Sequence, residues 1–323
     1  MKAYVYGASG AAITDVAKPA PRGTQVLVRV RACGLNRADL GMTKGHVHGS
    51  AGGAGTVLGM EWAGEIAEVG PDAKGVRPGD KVMGSGSAAF AEYTLADHGR
   101  LFHTPSNMNF EEAATLPVAL ATMHNAVVTN GALQPGQSVL IQGASSGVGL
   151  MALQIAKLKG ANIVIGSSTD PTRRARLNEF GADHAVDSSD PGWVDQVLKA
   201  TGGEGVDLIV DQVSGKVANQ NLAATRVKGR IVNVGRLGGT HADFNFDLHA
   251  ARRIQYIGVT FRTRSIEEIR EIFNEVRKDI WPAVEARKLQ LPIDKVFAFN
   301  DIGKAFEHME ANRHLGKIVV TLE

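Results

Sequence analysis

The chain has 323 residues, which is long enough for two domains with sizeable cores. Its 35 basic and 33 acidic residues give a net charge of +2 and are spread along the chain, which argues against nucleic acid as the main partner. A single cysteine, Cys33, excludes a disulfide scaffold within the chain. There is no run of about 18 apolar residues for a membrane span, and residues 1–5 lack an apolar signal core, so we expect a cytoplasmic enzyme.

Short strands separated by turns are predicted in the first part of the chain. Residues 25–32 alternate apolar and polar side chains, as a half-buried strand does, and further strands are predicted at 64–70, 80–83 and 90–95. Many short strands without a long helix favour an antiparallel, barrel-like, mostly β domain. Residues 45–59 hold six glycines and two histidines and are predicted to form a mobile loop.

The pattern becomes helical from about residue 110. Asn109 is a plausible helix N-cap because two glutamates follow it, and Pro117 starts or kinks a helix predicted over 118–129. An apolar strand is then predicted from Ser138, followed by small residues at 143–149 and an apolar-periodic helix. This order predicts a strand, a tight turn and a helix.

The turn at 143–149 has the form of a dinucleotide-binding turn. Small residues let the backbone approach a ligand closely, and the start of the helix offers unpaired N–H groups to a pyrophosphate. The glycine positions of the G-x-G-x-x-G fingerprint fall at Ala144, Ser146 and Gly149, so two of the three glycines are absent. A glycine-rich turn in any α/β protein is the alternative on this feature alone.

Strands and helices alternate beyond this turn. Strands are predicted at 162–165, 206–211 and 229–235, and a helix over 171–180 closed by Gly181. This alternation predicts right-handed crossovers and a parallel, doubly wound Rossmann sheet.

The end of the chain returns to a mixed pattern. Ser265 is expected to cap a helix over 266–277, and a helix over 302–311 and a strand over 317–321 follow. We therefore expect a catalytic domain of residues 1–120 completed by 259–323, and a dinucleotide-binding domain of residues 121–258.

Several motifs in order carry a family resemblance that covers essentially the whole chain. Residues 31–39 (RACGLNRAD), 58–65 (LGMEWAGE), 79–82, 90–93 and 113–117 resemble the medium-chain dehydrogenase/reductase superfamily. Within it, residues 143–149 (GASSGVG), 181–185 (GADHA) and 316–320 (GKIVV) resemble the zinc-independent quinone oxidoreductase branch. The resemblance implies a GroES-like, barrel-like catalytic domain, an inserted Rossmann domain and a cofactor between them.

No metal is expected. Zinc-dependent relatives hold zinc with a Cys and a His at positions that Asn36 and Met60 occupy here, and neither an amide nor a thioether replaces those ligands. Cys33 is expected to be a small packed residue, and His46 and His48 a chance surface pair. Reduction of an electron-poor acceptor is then favoured, because hydrogen-bond donors are enough to stabilise the oxygen on which negative charge develops.

NADPH is the expected cofactor. An NAD-specific site usually carries Asp or Glu after the second strand, where Ser167 and Ser168 stand here. Arg173 lies at a position where the NADPH-using quinone oxidoreductases that this chain resembles have a Lys or Arg that contacts the 2′-phosphate. A guanidinium suits the dianionic 2′-phosphate. Asp170 is a rival that helix capping explains, and the neighbouring Arg174 and Arg176 are expected to be solvated helix charges.

The expected site residues come from the turn and from the resemblance. Expected cofactor contacts are Ala144, Ser145, Ser146, Gly147, Val148, Gly149, Ser167, Ser168, Arg173, Ser188, Val234, Gly235, Phe261, Asn312 and Lys317. Asn36 is a candidate donor to the acceptor carbonyl, with loop support as the alternative, and Asp39 is expected to order its loop. Thr122 is expected near the nicotinamide carboxamide. His124 is a candidate proton donor or substrate contact, with helix packing as the alternative.

An NADPH-dependent quinone oxidoreductase acting on a small-molecule electron acceptor is the leading hypothesis. The alternatives are an enoyl or enone reductase of α,β-unsaturated carbonyls or acyl thioesters, and a non-catalytic NADPH-binding or structural protein. The loop at 41–56 departs most from the family pattern, so the acceptor is not predicted. A homodimer through an edge of the nucleotide-domain sheet is implied by the resemblance.

Overall fold

The structure is a computed structural model that describes residues 1–49 and 51–323. It divides into two compact units, which we call the β unit (Met1–Ala121 with Phe261–Glu323) and the α/β unit (Thr122–Thr260). Ser50, which belongs to the segment 45–59 predicted as a mobile loop, lies outside the described residues. No helix in the described part of the chain is long and apolar enough to cross a bilayer.

Short strands dominate the first part of the chain. They are β1 (Lys2–Gly7), β2 (Gly10–Asp15), β3 (Gln25–Gly34), β4 (Val47–His48), β5 (Ala51–Gly52), β6 (Thr56–Val57), β7 (Glu61–Val69), β8 (Lys81–Ser85), β9 (Tyr93–Asp97) and β10 (Leu101–His103), with helices α1 (Arg37–Met42), α2 (Phe110–Ala113) and α3 (Pro117–His124). The alternating segment predicted as a strand is β3. Asn109 caps α2 as predicted, since its side chain accepts the Glu112 N–H.

Strands and helices alternate in the α/β unit. The elements are β11 (Ser138–Gln142), α4 (Gly147–Leu158), β12 (Ile163–Ser167), α5 (Pro171–Arg174), β13 (His184–Val186), α6 (Trp193–Ala200), β14 (Val206–Asp211), α7 (Ala218–Ala224), β15 (Thr225–Asn233), α8 (Phe246–Arg252) and β16 (Gln255–Gly258). The strands pair in the order β13-β12-β11-β14-β15-β16, and every pair is parallel. This is the strand order of a doubly wound Rossmann sheet, and it confirms the predicted fold class.

The last segment belongs to the β unit. It holds α9 (Ile266–Asp279), α10 (Trp281–Glu285), β17 (Ile293–Ala298), α11 (Ile302–Glu310) and β18 (Lys317–Thr321). A seven-stranded sheet has the order β10-β8-β7-β3-β18-β17 with β9 also paired to β3, and a smaller sheet has the order β2-β1-β6. Strand β18 lies antiparallel to β3, with Val320 opposite Cys33, so the end of the chain completes this sheet.

Each unit has its own apolar core. In the β unit, Trp62 and Phe90 are fully buried, and Phe90 makes an edge-to-face contact with Phe306 of α11. In the α/β unit, Trp193 of α6 and Leu140 of β11 belong to a cluster that the central strands share. The apolar run of β11 is buried on both faces because helices cover both sides of a parallel sheet.

Two predicted helices are irregular. The prediction of a single helix over 171–180 is wrong, because α5 ends at Arg174 and a separate 3₁₀ turn over Leu177–Phe180 follows. Gly181 ends that turn with a φ of 99°, as predicted. The helix predicted over 118–129 changes at Asn125 from α to π geometry, which continues to Asn130. The Asn130 side chain donates to the Asn125 backbone oxygen at 2.8 Å and closes the wider turn.

Two predictions in the β unit also need correction. The strand predicted at 90–95 is β9, which starts at Tyr93, and Ala91 makes only an isolated bridge to Ala3. The segment predicted as a loop contains β4 and β5, which pair with each other, and β6, which pairs with β1. Positive φ values at Gly53 and Gly55 allow the turn between β5 and β6.

Candidate cofactor site and buried polar clusters

The turn between β11 and α4 brings together the residues predicted to bind the cofactor. Gly143 leaves the strand with a φ of 72°, and Ser146 caps α4 by accepting the Gly149 N–H at 3.1 Å. A Cβ on Gly149 would lie 2.6 Å from the Gly143 oxygen, so only glycine fits where the helix crosses the strand end. The first N–H groups of α4 and its positive dipole end therefore lie just beyond the carboxyl end of β11, where an anion binds best.

Ser167, the last residue of β12, holds this turn from behind. Its backbone oxygen accepts the Ala144 N–H at 2.8 Å, and its hydroxyl oxygen accepts the Gly143 N–H at 3.0 Å. The same hydroxyl donates to Gln142 Oε1 at 2.6 Å, and Ser167 is fully buried. Ser167 stays a predicted cofactor contact, and its hydroxyl supports the turn from a buried position.

The next residues remain candidates for the 2′-phosphate. Ser168 donates to Ser145 Oγ at 3.0 Å, which ties the second strand end to the turn. Asp170 caps α5 by accepting the Arg173 N–H at 2.8 Å, which confirms its predicted role, and this contact lowers the pKa of Asp170. Arg173 Nε lies 3.7 Å from Asp170 Oδ1. Its guanidinium thus lies close to the Asp170 cap at the start of α5.

The contacts of Arg174 are more specific than those expected of a solvated helix charge. Its guanidinium donates to the Ser168 backbone oxygen at 2.8 Å and to Asp187 Oδ2 at 2.9 Å. Ser188, predicted as a cofactor contact, is half-buried and directly follows Asp187. Arg174 therefore joins the loops after β12 and β13.

The loops after β14 and β15 meet at the same edge of the sheet. Asp211 Oδ1 accepts the N–H groups of Val213 and Ser214 at 2.8 and 2.9 Å. The Asp211 backbone oxygen accepts the N–H groups of Val234 and Gly235, two of the predicted contacts, at 2.7 and 3.1 Å. Because ligands bind outside the carboxyl ends of such strands, Val234 and Gly235 lie on the binding side of the sheet.

A polar cluster is buried in the β unit. Lys317 Nζ donates to Asn36 Oδ1 at 3.0 Å and forms an ion pair with Glu61 Oε1. The Asn36 amide donates to Glu61 Oε1 at 3.0 Å, and Glu61 Oε2 accepts the Val118 N–H at 3.0 Å. Glu61 is fully buried and Lys317 is 4% exposed. We call Asn36, Asp39, Glu61 and Lys317 the ionic cluster.

Burial dominates the electrostatics of the ionic cluster. It raises the pKa of Glu61, while Lys317, the Val118 N–H and the Asn36 amide oppose that shift. Asp39 is also fully buried, and burial raises its pKa to about 7. Asp39 Oδ2 accepts the Asn36 N–H at 2.8 Å, which confirms that it orders this loop, whereas its Oδ1 has no hydrogen-bond partner.

The remaining predicted residues have partners or burial that bear on their roles. Asn312 has a φ of 53°, and its side chain accepts from Arg37 Nη2 at 2.7 Å. His124, the last residue of α3, is 2% exposed, which agrees with the packing alternative. Thr122 and Phe261 are both half-buried. The structure thus gathers the turn residues in one place and Asn36 with Lys317 in another.

The side chains present do not fit zinc. In the described ranges, no group of three or more His, Cys, Asp or Glu residues is arranged to hold a metal ion. Asn36 and Glu61 face the Lys317 ammonium, so a cation of the protein itself pairs with the Glu61 carboxylate. The buried Cys33 thiol donates to the Ala89 backbone oxygen, and burial raises its pKa, which disfavours the thiolate that zinc requires.

Comparison with known protein families gives two matches along the chain. A family model described as the alcohol dehydrogenase GroES-like domain matches residues 22–106, and one described as zinc-binding dehydrogenase matches residues 147–278. The first therefore covers part of the β unit, and the second covers most of the α/β unit.

Individual relatives align over nearly the whole chain. The quinone oxidoreductase-like protein 2 of Bos taurus is 28% identical over 301 residues, which are 93% of this chain and 85% of that protein. A phenolphthiocerol/phthiocerol polyketide synthase of Mycobacterium tuberculosis is 30% identical over 312 residues, 96% of this chain. The chain spans only 14% of that synthase. The crystal structure of the CurK enoyl reductase superposes with a TM-score of 0.87 and 25% identity, covering 100% of this chain and 99% of that one.

Proposed function

The chain belongs to the medium-chain dehydrogenase/reductase superfamily, and from that premise we propose that it is an NADPH-dependent reductase of quinones. The observation that carries this proposal is the β11–α4 turn together with Arg173 at the start of α5. The turn offers backbone N–H groups at a helix start, and Arg173 offers a cation where the second strand ends.

The residues of the α/β unit fit a nicotinamide dinucleotide. The turn residues Ala144 to Gly149 would hold the pyrophosphate. Val148 is the one residue among them with a side chain larger than a methyl or hydroxymethyl group, so a ligand would approach the first N–H groups of α4 closely. Ser168 and Arg173 would hold the 2′-phosphate, since a hydroxyl and a guanidinium suit a dianion. Ser145 accepts from Ser168 beside this position, and Ser188 in the loop after β13 and Val234 and Gly235 after β15 would be further contacts.

The cofactor supplies the hydride when bound. The chain binds the cofactor and the acceptor, orients them and stabilises the charge that develops on the acceptor. A quinone is already electron-poor, so the oxygen that gains negative charge needs hydrogen-bond donors and no Lewis acid. We assign Thr122 to the surroundings of the nicotinamide, and His124, which is 2% exposed, to the packing of α3. We assign Asn36 and Lys317 to the support of the loop between β3 and α1, because their polar atoms contact each other and Glu61.

Reduction of an activated alkene is the second candidate. The likeness to the CurK enoyl reductase and to polyketide synthases favours it specifically, since those sequences or structures align over nearly the whole chain. The same hydride transfer would serve an enone or an enoyl thioester, and only the acceptor pocket would differ.

Turnover with a panel of acceptors distinguishes the candidates. NADPH oxidation would be followed with benzoquinones, naphthoquinones, enones and an enoyl thioester at equal concentrations. We expect the quinones to give the highest kcat/KM. Higher kcat/KM for the enones or the thioester would support the second candidate, and NADPH binding without turnover on any acceptor would leave a non-catalytic NADPH-binding protein.

Arg173→Ala tests the assignment of the 2′-phosphate. We expect the KM for NADPH to rise about tenfold or more, because a charge-assisted contact contributes about 1.5–3 kcal/mol. The KM for NADH should change less than about threefold on the same reasoning, since NADH carries no 2′-phosphate. Arg176→Ala is the matched control, because Arg176 is an exposed neighbour paired with Glu179 at 2.9 Å. Equal losses for both cofactors would contradict the assignment.

We also propose a homodimer through strand β16. This strand is at one end of the six-stranded sheet, and the nearby Phe246 and Tyr256 are 75% and 37% exposed. A second copy could continue the sheet and cover these aromatic side chains. Sedimentation should show a dimer that Phe246→Ser weakens, whereas Leu158→Ser, at an exposed apolar residue of α4, should not. A monomeric wild type would rule the proposal out.

A further inference from the structure

Four buried residues of the α/β unit form a continuous chain of hydrogen bonds. The Ser167 hydroxyl donates to Gln142 Oε1 at 2.6 Å, and Gln142 Nε2 donates to Asn221 Oδ1 at 2.9 Å. Asn221 Nδ2 then donates to Asp211 Oδ2 at 3.0 Å. All four side chains are fully buried, so none of these groups exchanges its partner for water. We call Ser167, Gln142, Asn221 and Asp211 the amide chain.

The direction of every bond in the amide chain is set from its Asp211 end. The Asp211 carboxylate accepts from two backbone N–H groups and from Asn221 Nδ2, so Asn221 Oδ1 is left to accept from Gln142 Nε2. Gln142 Oε1 then accepts the Ser167 proton, and the Ser167 oxygen accepts the Gly143 N–H at the other end of the chain.

Both ends of the amide chain lie at the candidate cofactor site. Gly143 opens the turn between β11 and α4, and Asp211 holds the loop after β14 through the N–H groups of Val213 and Ser214. Ser214 has a φ of 55°, a conformation that a residue with a side chain adopts only when its surroundings impose it. The chain of bonds therefore connects two loops that follow different strands.

The opposite end of the same sheet offers a contrast. Ser138, the first residue of β11, donates to Asp207 Oδ2 at 2.8 Å and joins β11 to β14 at their amino ends. Arg226 pairs with the same carboxylate at 2.8 Å. These contacts of Asp207 join neighbouring strands at their amino ends, which is the side of the sheet away from the candidate cofactor site.

We propose that the residues of the amide chain are positioning residues for the cofactor, acting through the backbone N–H groups of Gly143, Val213 and Ser214. This inference rests on the proposed cofactor site at the turn. Because each bond has one allowed direction, exchanging a donor for an acceptor, or the reverse, at Asp211 or Asn221 disturbs the geometry of both loops. The amide chain thus sets the spacing between the pyrophosphate turn and the loop after β14.

Exchanging the two ends of one bond tests the proposal. In Asp211→Asn, the new amide meets the Asn221 amide, so donor faces donor; in Asn221→Asp, two carboxylates face each other. In the double variant D211N/N221D, the residue at 211 again accepts the loop N–H groups and donates to the carboxylate at 221, which accepts from Gln142. We expect each single variant to raise the Kd for NADPH about tenfold or more and the double variant to return it to within about threefold of wild type.

Two serine variants provide a second measurement if a single variant fails to fold. Ser167→Ala removes the hydroxyl that joins Gly143 to Gln142, and Ser138→Ala removes a buried hydroxyl at the amino end of the sheet. Both should lower the Tm, but only Ser167→Ala should raise the Kd for NADPH, by about fivefold or more. Binding would be measured by calorimetry or by fluorescence of the bound nicotinamide.

The outcomes separate this inference from the proposed function. A wild type that binds neither NADPH nor NADH overturns both. A wild type that binds NADPH, with a double variant no better than the single ones, overturns the amide chain alone. Ser167→Ala and Ser138→Ala with equal Kd values for NADPH also overturn it, because the hydroxyl of Ser167 would then be merely structural.

Discussion

The ionic cluster of the β unit and the amide chain of the α/β unit bury polar groups in different ways. The ionic cluster sets two carboxylates, Glu61 and Asp39, near one ammonium, and Asp39 Oδ1 has no hydrogen-bond partner. In the amide chain, by contrast, each hydrogen bond has a defined donor and acceptor, and Asp211 is the one ionisable member. The stability of the ionic cluster should therefore depend on charge and pH. The stability of the amide chain should depend on the direction of its hydrogen bonds.

Lys317→Met should produce the largest loss of stability. It leaves Glu61 fully buried without its counter-ion, and breaking a buried pair from one side costs about 3–5 kcal/mol. The free energy of unfolding in urea at pH 7 measures the effect. A loss below about 1 kcal/mol would place this pair with surface ion pairs, and the contrast between the two clusters would fail.

Removing both charges together distinguishes charge from packing. In the double variant E61Q/K317M the uncompensated charge of Glu61 is gone, and the loss of Lys317 favours the neutral form of Asp39, so most of the stability should return. If the double variant is as unstable as Lys317→Met, the side-chain packing of Lys317 rather than its charge stabilises the sheet at the start of β18.

Local features of the fold could be predicted from the sequence. The turn between β11 and α4 depends on neighbours in the chain, such as the small residues after Gln142 and the Ser146 cap, and these act over a few residues. The caps at Asn109, Asp170 and Ser265 were predictable for the same reason, since each side chain accepts an N–H three residues later.

The buried polar contacts could not be predicted in the same way. Lys317 and Glu61 are separated by 256 positions, and Gln142 and Asn221 by 79. Periodicity locates a strand but does not pair side chains across a sheet. One signal was available for Gln142 and Asp211: each is a polar residue that follows three apolar, buried residues at the carboxyl end of its strand, where binding sites form. The sequence-based role of Lys317 as a cofactor contact did not anticipate its pairing with Glu61.

Asp39→Asn should have a smaller, pH-dependent effect. The pKa of Asp39 is raised from 3.8 to about 7 in the folded protein, so the folded state binds a proton between these values that the unfolded state has released. The free energy of unfolding contributed by this group is therefore highest below about pH 4, and it is lost as pH rises through about 7. Asp39→Asn removes this dependence. Between pH 5 and pH 8 the wild type should lose about 2.6 kcal/mol more stability than the variant.

Asp97→Asn is the matched control for Asp39→Asn, because the pKa of Asp97 is shifted in the opposite direction. Burial opposes ionisation of Asp97, but hydrogen bonds from Arg270 and Thr24 outweigh it and lower its pKa to about 2. Asp97 stays ionised from pH 5 to pH 8, so this variant should lose stability by the same amount at both pH values. The stability that Asp97 confers would decline only as pH falls toward 2. An unchanged slope in Asp39→Asn would show that Asp39 is ionised throughout and that the ammonium of Lys317 stabilises its carboxylate.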